Sequence, residues 1–402
     1  MIRRKHQALM AVALTCVLAA CGGTTGAGGS GAASSGGDVQ CVQGKTISIG
    51  SSAILSGPQV AYATIDEALT AYFDTVNAKG GVNGYTFKVV RQDNAYTAAQ
   101  SVAVARSLAL QEKVFALSVA GTTPTSAVLP IAEQLKLPIT FIANADLVTN
   151  TKTNVYGLEP SFSRVALFDA DYALTQLGTK KIGYAYSDDP LGQPALAALP
   201  TYVKNKGGTL TTVGFPTTAT DYSSYASKLQ ASGAEAVIVF GGPANLAGLQ
   251  RAANSIGFKP KWISLFASVT PAYLDLAGPL AEGTYFDNFL ETLGSDTPSV
   301  KQFKEVVGAK DPKAVSLLGE LGWTNAALIA DGVRDATNNG GKLSWKSFED
   351  SLNKLTNAHV GVWPDVTFTE SSHSGAVSAN ILQVKNGVFT PVTEFKPLPE
   401  KP

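Results

Sequence analysis

Few residue types here could carry catalysis. The histidines are His6, His359 and His373, and the last two stand fourteen positions apart without a Cys, His or helical acidic partner at ligand spacing. Both read as surface-loop residues, and no metal site is expected. Cys16, Cys21 and Cys41 all precede the body of the chain. They can build neither a disulfide framework nor a zinc knuckle. No Gly-x-Ser-x-Gly elbow occurs. Gly44-Lys45-Thr46 has the form of a phosphate-loop ending, but the earlier glycine of that motif falls on Val39 and the triplet precedes a strand. No Gly-x-Gly-x-x-Gly stands at a strand end. With no candidate nucleophile, acid–base pair or metal, the chain reads as a non-enzyme without a cofactor.

Hydrogen-bond donors are the more promising groups. Gly121-Thr122-Thr123-Pro124 follows an apolar strand and opens a helix. Free N–H groups and hydroxyls at a helix start can hold an anion, or they can simply cap the helix. Leu55-Ser56-Gly57-Pro58 and Ile142-Ala143-Asn144-Ala145-Asp146 fall at equivalent strand ends. In open α/β sheets ligands bind beyond the carboxyl ends of strands, so three polar loops on one edge favour a ligand.

The elements that would position these loops alternate. Ile47–Ile49 reads as a strand, and Tyr62 to Ala78 as a helix with apolar residues at helical spacing, stopped by Lys79-Gly80-Gly81. Strand and helix then repeat: 86–91, 97–111, 114–117, 124–136 and 139–142. A second run covers 164–177, 181–186, 195–205, 209–215, 221–231, 236–240, 245–256 and 262–265. Such alternation predicts βαβ units and parallel sheets with right-handed crossovers. Two runs predict two doubly wound, Rossmann-like lobes in an α/β fold. Ala314–Ala336 reads as a long apolar helix. Ser378–Val384 and Val388–Val392, split at Asn386-Gly387, read as a hairpin with a type I′ turn.

The chain has 402 residues and equal numbers of basic and acidic groups, 31 of each. That balance argues against nucleic acid, which needs a basic footprint, and against electrostatic capture by anionic lipid. Arg3, Arg4 and Lys5 followed by thirteen uncharged residues, Ala8 to Ala20, form a signal-peptide pattern. It ends in Leu18-Ala19-Ala20-Cys21-Gly22, which resembles a bacterial lipobox; a plain secretory signal meeting a cysteine, or a twin-arginine signal, is the alternative. Cleavage before a lipidated Cys21 would leave a net charge of −3. Gly22 to Gly37 contains only Gly, Ser, Thr and Ala. It cannot be buried, and as a flexible tether it would reach about 20–24 Å. The expected divisions are a signal peptide over 1–20 and a lipid anchor with tether over 21–43.

Several body motifs resemble the type I periplasmic solute-binding proteins of ABC transporters, Leu/Ile/Val-binding branch. They are Ser56-Gly57-Pro58 with Tyr62, Asn77-Ala78-Lys79-Gly80-Gly81-Val82-Asn83-Gly84, Asp93-Asn94, Gln100-Ser101-Val102, Thr122-Thr123, Gly241-Gly242 and Gly257-Phe258. The resemblance covers Lys45 to about Val392. It implies two lobes joined by three crossovers, near 161–163, 287 and 375, that close on a ligand like a hinge. The N-terminal lobe would take 44–162 and 288–375, the C-terminal lobe 163–287 and 376–398.

Residue by residue, the resemblance places Tyr62 in the ligand pocket, Thr122 on a ligand carboxylate with Gly121 and Thr123 beside it, and Asn144 and Ala145 in a loop whose backbone meets the ligand. Two aromatic positions of the family fall on Leu191 and Pro243. The family's acid for a ligand ammonium falls on Phe266, and its first-lobe disulfide on Tyr96 and Gly121. A buried ammonium without a carboxylate costs several kcal/mol. Either Asp146, Asp188, Asp287 or Glu320 substitutes, or the solute carries a carboxylate or amide end and no amine; the second is favoured. The function implied is an extracytoplasmic, lipid-anchored binding protein at the cell membrane. It would be a monomer that delivers a small-molecule solute to ABC permease and ATPase subunits. The alternative is a ligand-sensing receptor domain.

Overall fold

The structure, a computed structural model, describes residues 42–141, 143–147, 154–290, 293–368 and 373–401. Cys21 and the signal segment lie outside these residues, as does the tether apart from Val42–Gln43. That pair forms a short strand, β1 (Val42–Gln43), folded back on the start of β2 (Thr46–Ala53).

The first sheet adds β3 (Thr86–Asp93), β4 (Ala116–Val119) and β5 (Ile139–Phe141), in the spatial order β3-β2-β4-β5 with all four parallel. Its crossovers are α1 (Ala63–Ala78), α2 (Ala98–Arg106) and α3 (Thr122–Leu135). β4 is apolar apart from Ser118 and wholly buried, as expected of a parallel strand covered on both faces. Local chemistry starts the helices: the Thr97 hydroxyl accepts the Gln100 N–H at 3.3 Å at the head of α2.

The chain then enters α4 (Phe162–Thr175), whose N-cap Ser161 accepts the Arg164 N–H. A second sheet follows, made of β6 (Lys181–Ser187), β7 (Thr209–Phe215), β8 (Ala236–Phe240), β9 (Lys261–Ser264) and β10 (Tyr285–Asn288). These strands are parallel in the order β10-β9-β8-β6-β7. The helices α5 (Leu199–Asn205), α6 (Ser223–Ala231), α7 (Pro243–Ser255) and α8 (Pro271–Ala277) connect them. All five residues of β8 are buried, which marks it as a central strand.

After β10 the chain returns to the first sheet as α9 (Pro298–Lys310), α10 (Leu317–Ala336), α11 (Trp345–Leu352) and the strand pair β11 (Ala358–Val360) and β12 (Trp363–Val366). α10 lies so close to α1 that a Cβ on Gly322 would sit 1.8 Å from the Ile65 carbonyl oxygen, so only glycine fits there. The chain last rejoins the second sheet through β13 (Ser378–Lys385), β14 (Val388–Pro391) and β15 (Lys396–Pro397). Asn386 and Gly387, with φ of 53° and 73°, form the hairpin turn that their sequence suggests.

The chain therefore passes between the two sheets three times. The passages lie side by side: the Gly157 N–H donates to the His373 carbonyl at 2.8 Å, and Asn288 Nδ2 donates to Asn380 Oδ1 at 2.8 Å. His373 is not on a surface loop. It is buried, stacked on Tyr156 with ring centroids 4.4 Å apart, and its Nδ1 lies 2.8 Å from the Val155 carbonyl oxygen. A linker packed against two others buries a residue that a linker read alone would leave exposed. His359 is exposed, on β11.

Candidate functional site

Each sheet has one switch point. In the first, β2 lies between β3 and β4, so the connections from β2 and β4 leave on opposite faces and open a crevice beyond their carboxyl ends. In the second, β6 lies between β7 and β8 and does the same. The two crevices meet in one cavity. Tyr62, Gly121 and Thr122 line it from the first lobe; Leu191, Leu265 and Phe266 line it from the second. Glu159, from the linker between β5 and α4, and Phe162, the first residue of α4, also line it, as do Phe141 and Ala143. The free space is about 10 Å³, room for roughly one water. Any larger solute needs the lobes to part first.

Gly121 has φ of +88°, and a Cβ on it would meet the Tyr96 ring at 2.7 Å. Glycine is needed both for the turn into α3 and for the approach of that ring. The two positions that the family resemblance assigns to a disulfide are thus neighbours, with an aromatic ring in place of the bridge. Thr122 is the first residue of α3, 2% exposed, with its Oγ1 donating weakly to the Ala143 carbonyl at 3.4 Å. A hydroxyl and free amides at the head of α3 therefore face the cavity. Phe266 meets Phe162 and Phe289 edge-on, with centroids at 6.0 and 4.4 Å.

Four of the sequence-derived candidates do other work. The Thr123 hydroxyl donates to Asp189 Oδ2 at 2.6 Å, across the cleft. The Asn144 amide also crosses it: Nδ2 donates to the Pro190 carbonyl at 3.4 Å, while Oδ1 accepts the Asp146 and Phe162 N–H groups. The Ala145 N–H donates to the Pro160 carbonyl, and neither Asn144 nor Ala145 lines the cavity, although Ala143 does. Pro243 lines a separate outer groove of about 440 Å³, with Pro58, Val60 and Leu276. It is the buried first residue of α7, a position where proline's missing N–H costs nothing.

The four acids considered as substitutes for Phe266 lie off the cavity wall. Asp146 is satisfied. Burial alone would raise its pKa, but hydrogen bonds from Ser161, Ser163 and Lys401 outweigh that and hold it below the usual range. Asp188 is exposed, and Glu320 is buried on α10. Asp287 is buried on β10, where it accepts the Phe266 N–H at 3.3 Å, and burial pushes it up to about 8.

The cavity does contain a carboxyl that the sequence reading missed. Glu159 is 3% exposed; burial first, and then Asp287, push its pKa well above the usual carboxylate range. The available clue was a lone acid at the end of Val155-Tyr156-Gly157-Leu158, just before Pro160. Among the described residues no Lys, Arg or His lines the cavity.

Two α/β lobes with switch points apposed across a three-stranded hinge define the class of type I binding proteins that close on a solute. Comparison with known proteins agrees, and the chain belongs to the periplasmic binding protein family, whose model matches residues 46–388. It is 30% identical over 274 residues to an amino acid binding protein of Pseudomonas aeruginosa, covering 65% of this chain and 71% of that one. Among solved structures it is similar to a branched-chain amino acid ABC transporter protein from Thermus thermophilus with bound valine. The TM-score there is 0.80 at 20% identity, over 88% of this chain and 96% of that one. A fatty acid ABC transporter substrate-binding protein from Thermomonospora curvata gives a TM-score of 0.79 at 20% identity, over 89% and 94%. A solute-binding protein from Rhodopseudomonas palustris in complex with 4-hydroxybenzoate gives 0.77 at 21%, over 88% and 98%.

Proposed function

We propose that the chain is the lipid-anchored, extracytoplasmic substrate-binding component of an ABC importer. It captures a small organic solute between its lobes and delivers it to the permease and ATPase subunits. The solute carries a carboxylate or amide end, held at the head of α3 by Thr122, and an apolar body without an amine. One observation carries this reading: Tyr62, Gly121 and Thr122 converge with Leu191 and Phe266, from the other lobe, on a single enclosed cavity. The wall facing the solute body is apolar, through Phe141, Phe162, Leu265 and Phe266. Burying such a body contributes roughly 25 cal/mol per Å² of apolar surface. The lipobox at Cys21 and the glycine-rich segment after it support the anchor.

The test is a thermal-shift screen with branched-chain amino acids, their deaminated analogues, aromatic carboxylates and primary amides. A bound solute stabilises the protein by RT ln(1 + [L]/Kd). The expected result is stabilisation by carboxylates or amides and little by the amino acids. Stabilisation by amino acids alone would overturn the proposed solute class.

A further inference from the structure

Glu159 is an unusual lining residue. It lies between Leu158 and Pro160 in the linker that enters α4, and its side chain is buried against the cavity. Among the described residues no cation lines the cavity. The titratable groups that face it are carboxyls and a phenol. Asp287 stands on β10, with Asp169 of α4 beyond it, and Tyr62 lies at the head of α1, itself near Asp189. One Asp287 oxygen and both Asp169 oxygens are buried without a hydrogen-bond partner among the described residues.

A carboxylate in such surroundings has nothing to balance its charge, and a buried acid without a counter-charge takes up a proton instead. Burial and the neighbouring Asp287 act in that direction on Glu159. An un-ionised carboxyl has one O–H to donate. That O–H shares the cavity with Phe141, Phe162, Leu265 and Phe266, which offer no acceptor, so an oxygen of whatever enters would be a ready partner. Thr122 and the head of α3 offer further donors to the same space.

We propose that Glu159 acts as an un-ionised acid that donates a hydrogen bond to an oxygen of the captured solute, and so selects carboxylate or amide ends over cationic ones. The inference deepens the capture reading above and rests on it. One solute oxygen lies toward Thr122, the other toward Glu159, and a carboxylate has lone pairs enough for both. An apolar site that keeps a carboxylic acid neutral so that it can donate is an established physical device.

The experiment uses the full chain, 4-methylpentanoate and L-leucine as probes, and the variants Glu159→Gln and Glu159→Leu. Glutamine keeps a donor at the same place without a titratable proton; leucine removes it. Wild type should bind 4-methylpentanoate, with affinity falling as pH is raised, because the donor is lost on ionisation. Glu159→Gln should bind within about threefold of wild type, with that pH dependence removed. Glu159→Leu should lose about tenfold or more while still melting cooperatively, the loss of one hydrogen bond to a charged group. The infrared spectrum of the ligand-free protein should show a protonated carboxyl band near neutral pH that Glu159→Gln lacks. Equal losses in Gln and Leu, no loss in Leu, or no such band would overturn the inference and leave the capture reading standing. If 4-methylpentanoate binds none of the proteins while L-leucine does, the proposed solute class and this inference fall together; if neither probe binds, both fall as well.

Discussion

The Thr123 hydroxyl donates to Asp189 Oδ2 at 2.6 Å and ties the head of α3 in one lobe to the loop after β6 in the other. Tyr96 Oη reaches the same carboxylate oxygen at 3.5 Å, and Gln59 Nε2 donates to Asn245 Oδ1 at 3.0 Å across the same cleft. These bonds join the two lobes, so parting the lobes would break them. Thr123→Val should therefore destabilise the closed form by about 1.5–3 kcal/mol, the worth of a hydrogen bond to a charged group. Closure and capture are linked, so solute affinity should fall roughly tenfold to a hundredfold. Calorimetric titration of Thr123→Val against wild type measures this; an unchanged Kd would show that the bond does not hold the closed state.

Thr122 faces the cavity instead of the opposite lobe. Thr122→Val keeps its shape and removes its hydroxyl. Binding of a carboxylate solute should weaken by about 1–3 kcal/mol, while the melting temperature of the ligand-free protein changes little. Calorimetry showing wild-type affinity would remove Thr122 from the site.

Phe266 packs against Phe162 and Phe289, with its backbone N–H on Asp287. Phe266→Glu would put a further acid beside Asp287 and Glu159, where no cation lines the cavity among the described residues. It should weaken the natural solute and lower stability, since an unpaired buried charge costs several kcal/mol. Leucine, isoleucine and valine should bind wild type worse than their deaminated analogues do. Micromolar binding of leucine to wild type, with the analogue ignored, would contradict this.

Asp287 is raised from its ordinary value to about 8, and Asp169 is raised as well, in both cases first through burial. The native state therefore holds protons that the unfolded chain releases near pH 4. Stability from these groups is fully present below the unfolded value and is lost as pH rises toward 8. The slope is on the order of 1.4 kcal/mol per pH unit for each such proton. Urea unfolding at pH 5 and pH 8 should show the higher midpoint at pH 5, and Asp287→Asn should flatten the difference. A midpoint that rises with pH in wild type but not in the variant would reverse the assignment.

Cys21→Ala should release the protein from the membrane fraction or leave its signal segment uncleaved. Metabolic labelling with palmitate reads the anchor directly, and label persisting in the variant would place the lipid elsewhere.

The resemblance that named the family was legible in loops as much as in elements, because a glycine turn or a helix start is fixed by neighbours in the chain. Strands such as 236–240 and helices such as α1 followed from period and punctuation, since burial of one strand or one helix face leaves a local imprint. Thr122 was legible for the same reason, as a hydroxyl at a helix start just after a strand. Glu159, Thr123, Asn144, Pro243 and His373 were not. Each is set by what lies opposite it, and that partner is distant in sequence: Asp189 for Thr123, Pro190 for Asn144, the Tyr156 ring and the Gly157 N–H for His373. Elements, their alternation and the helix start at Thr122 are written in local sequence, because period and punctuation are set by near neighbours. Which loops share a cavity depends on how three linkers bring two sheets together, and that places Glu159 in the inner cavity and Pro243 in the outer groove.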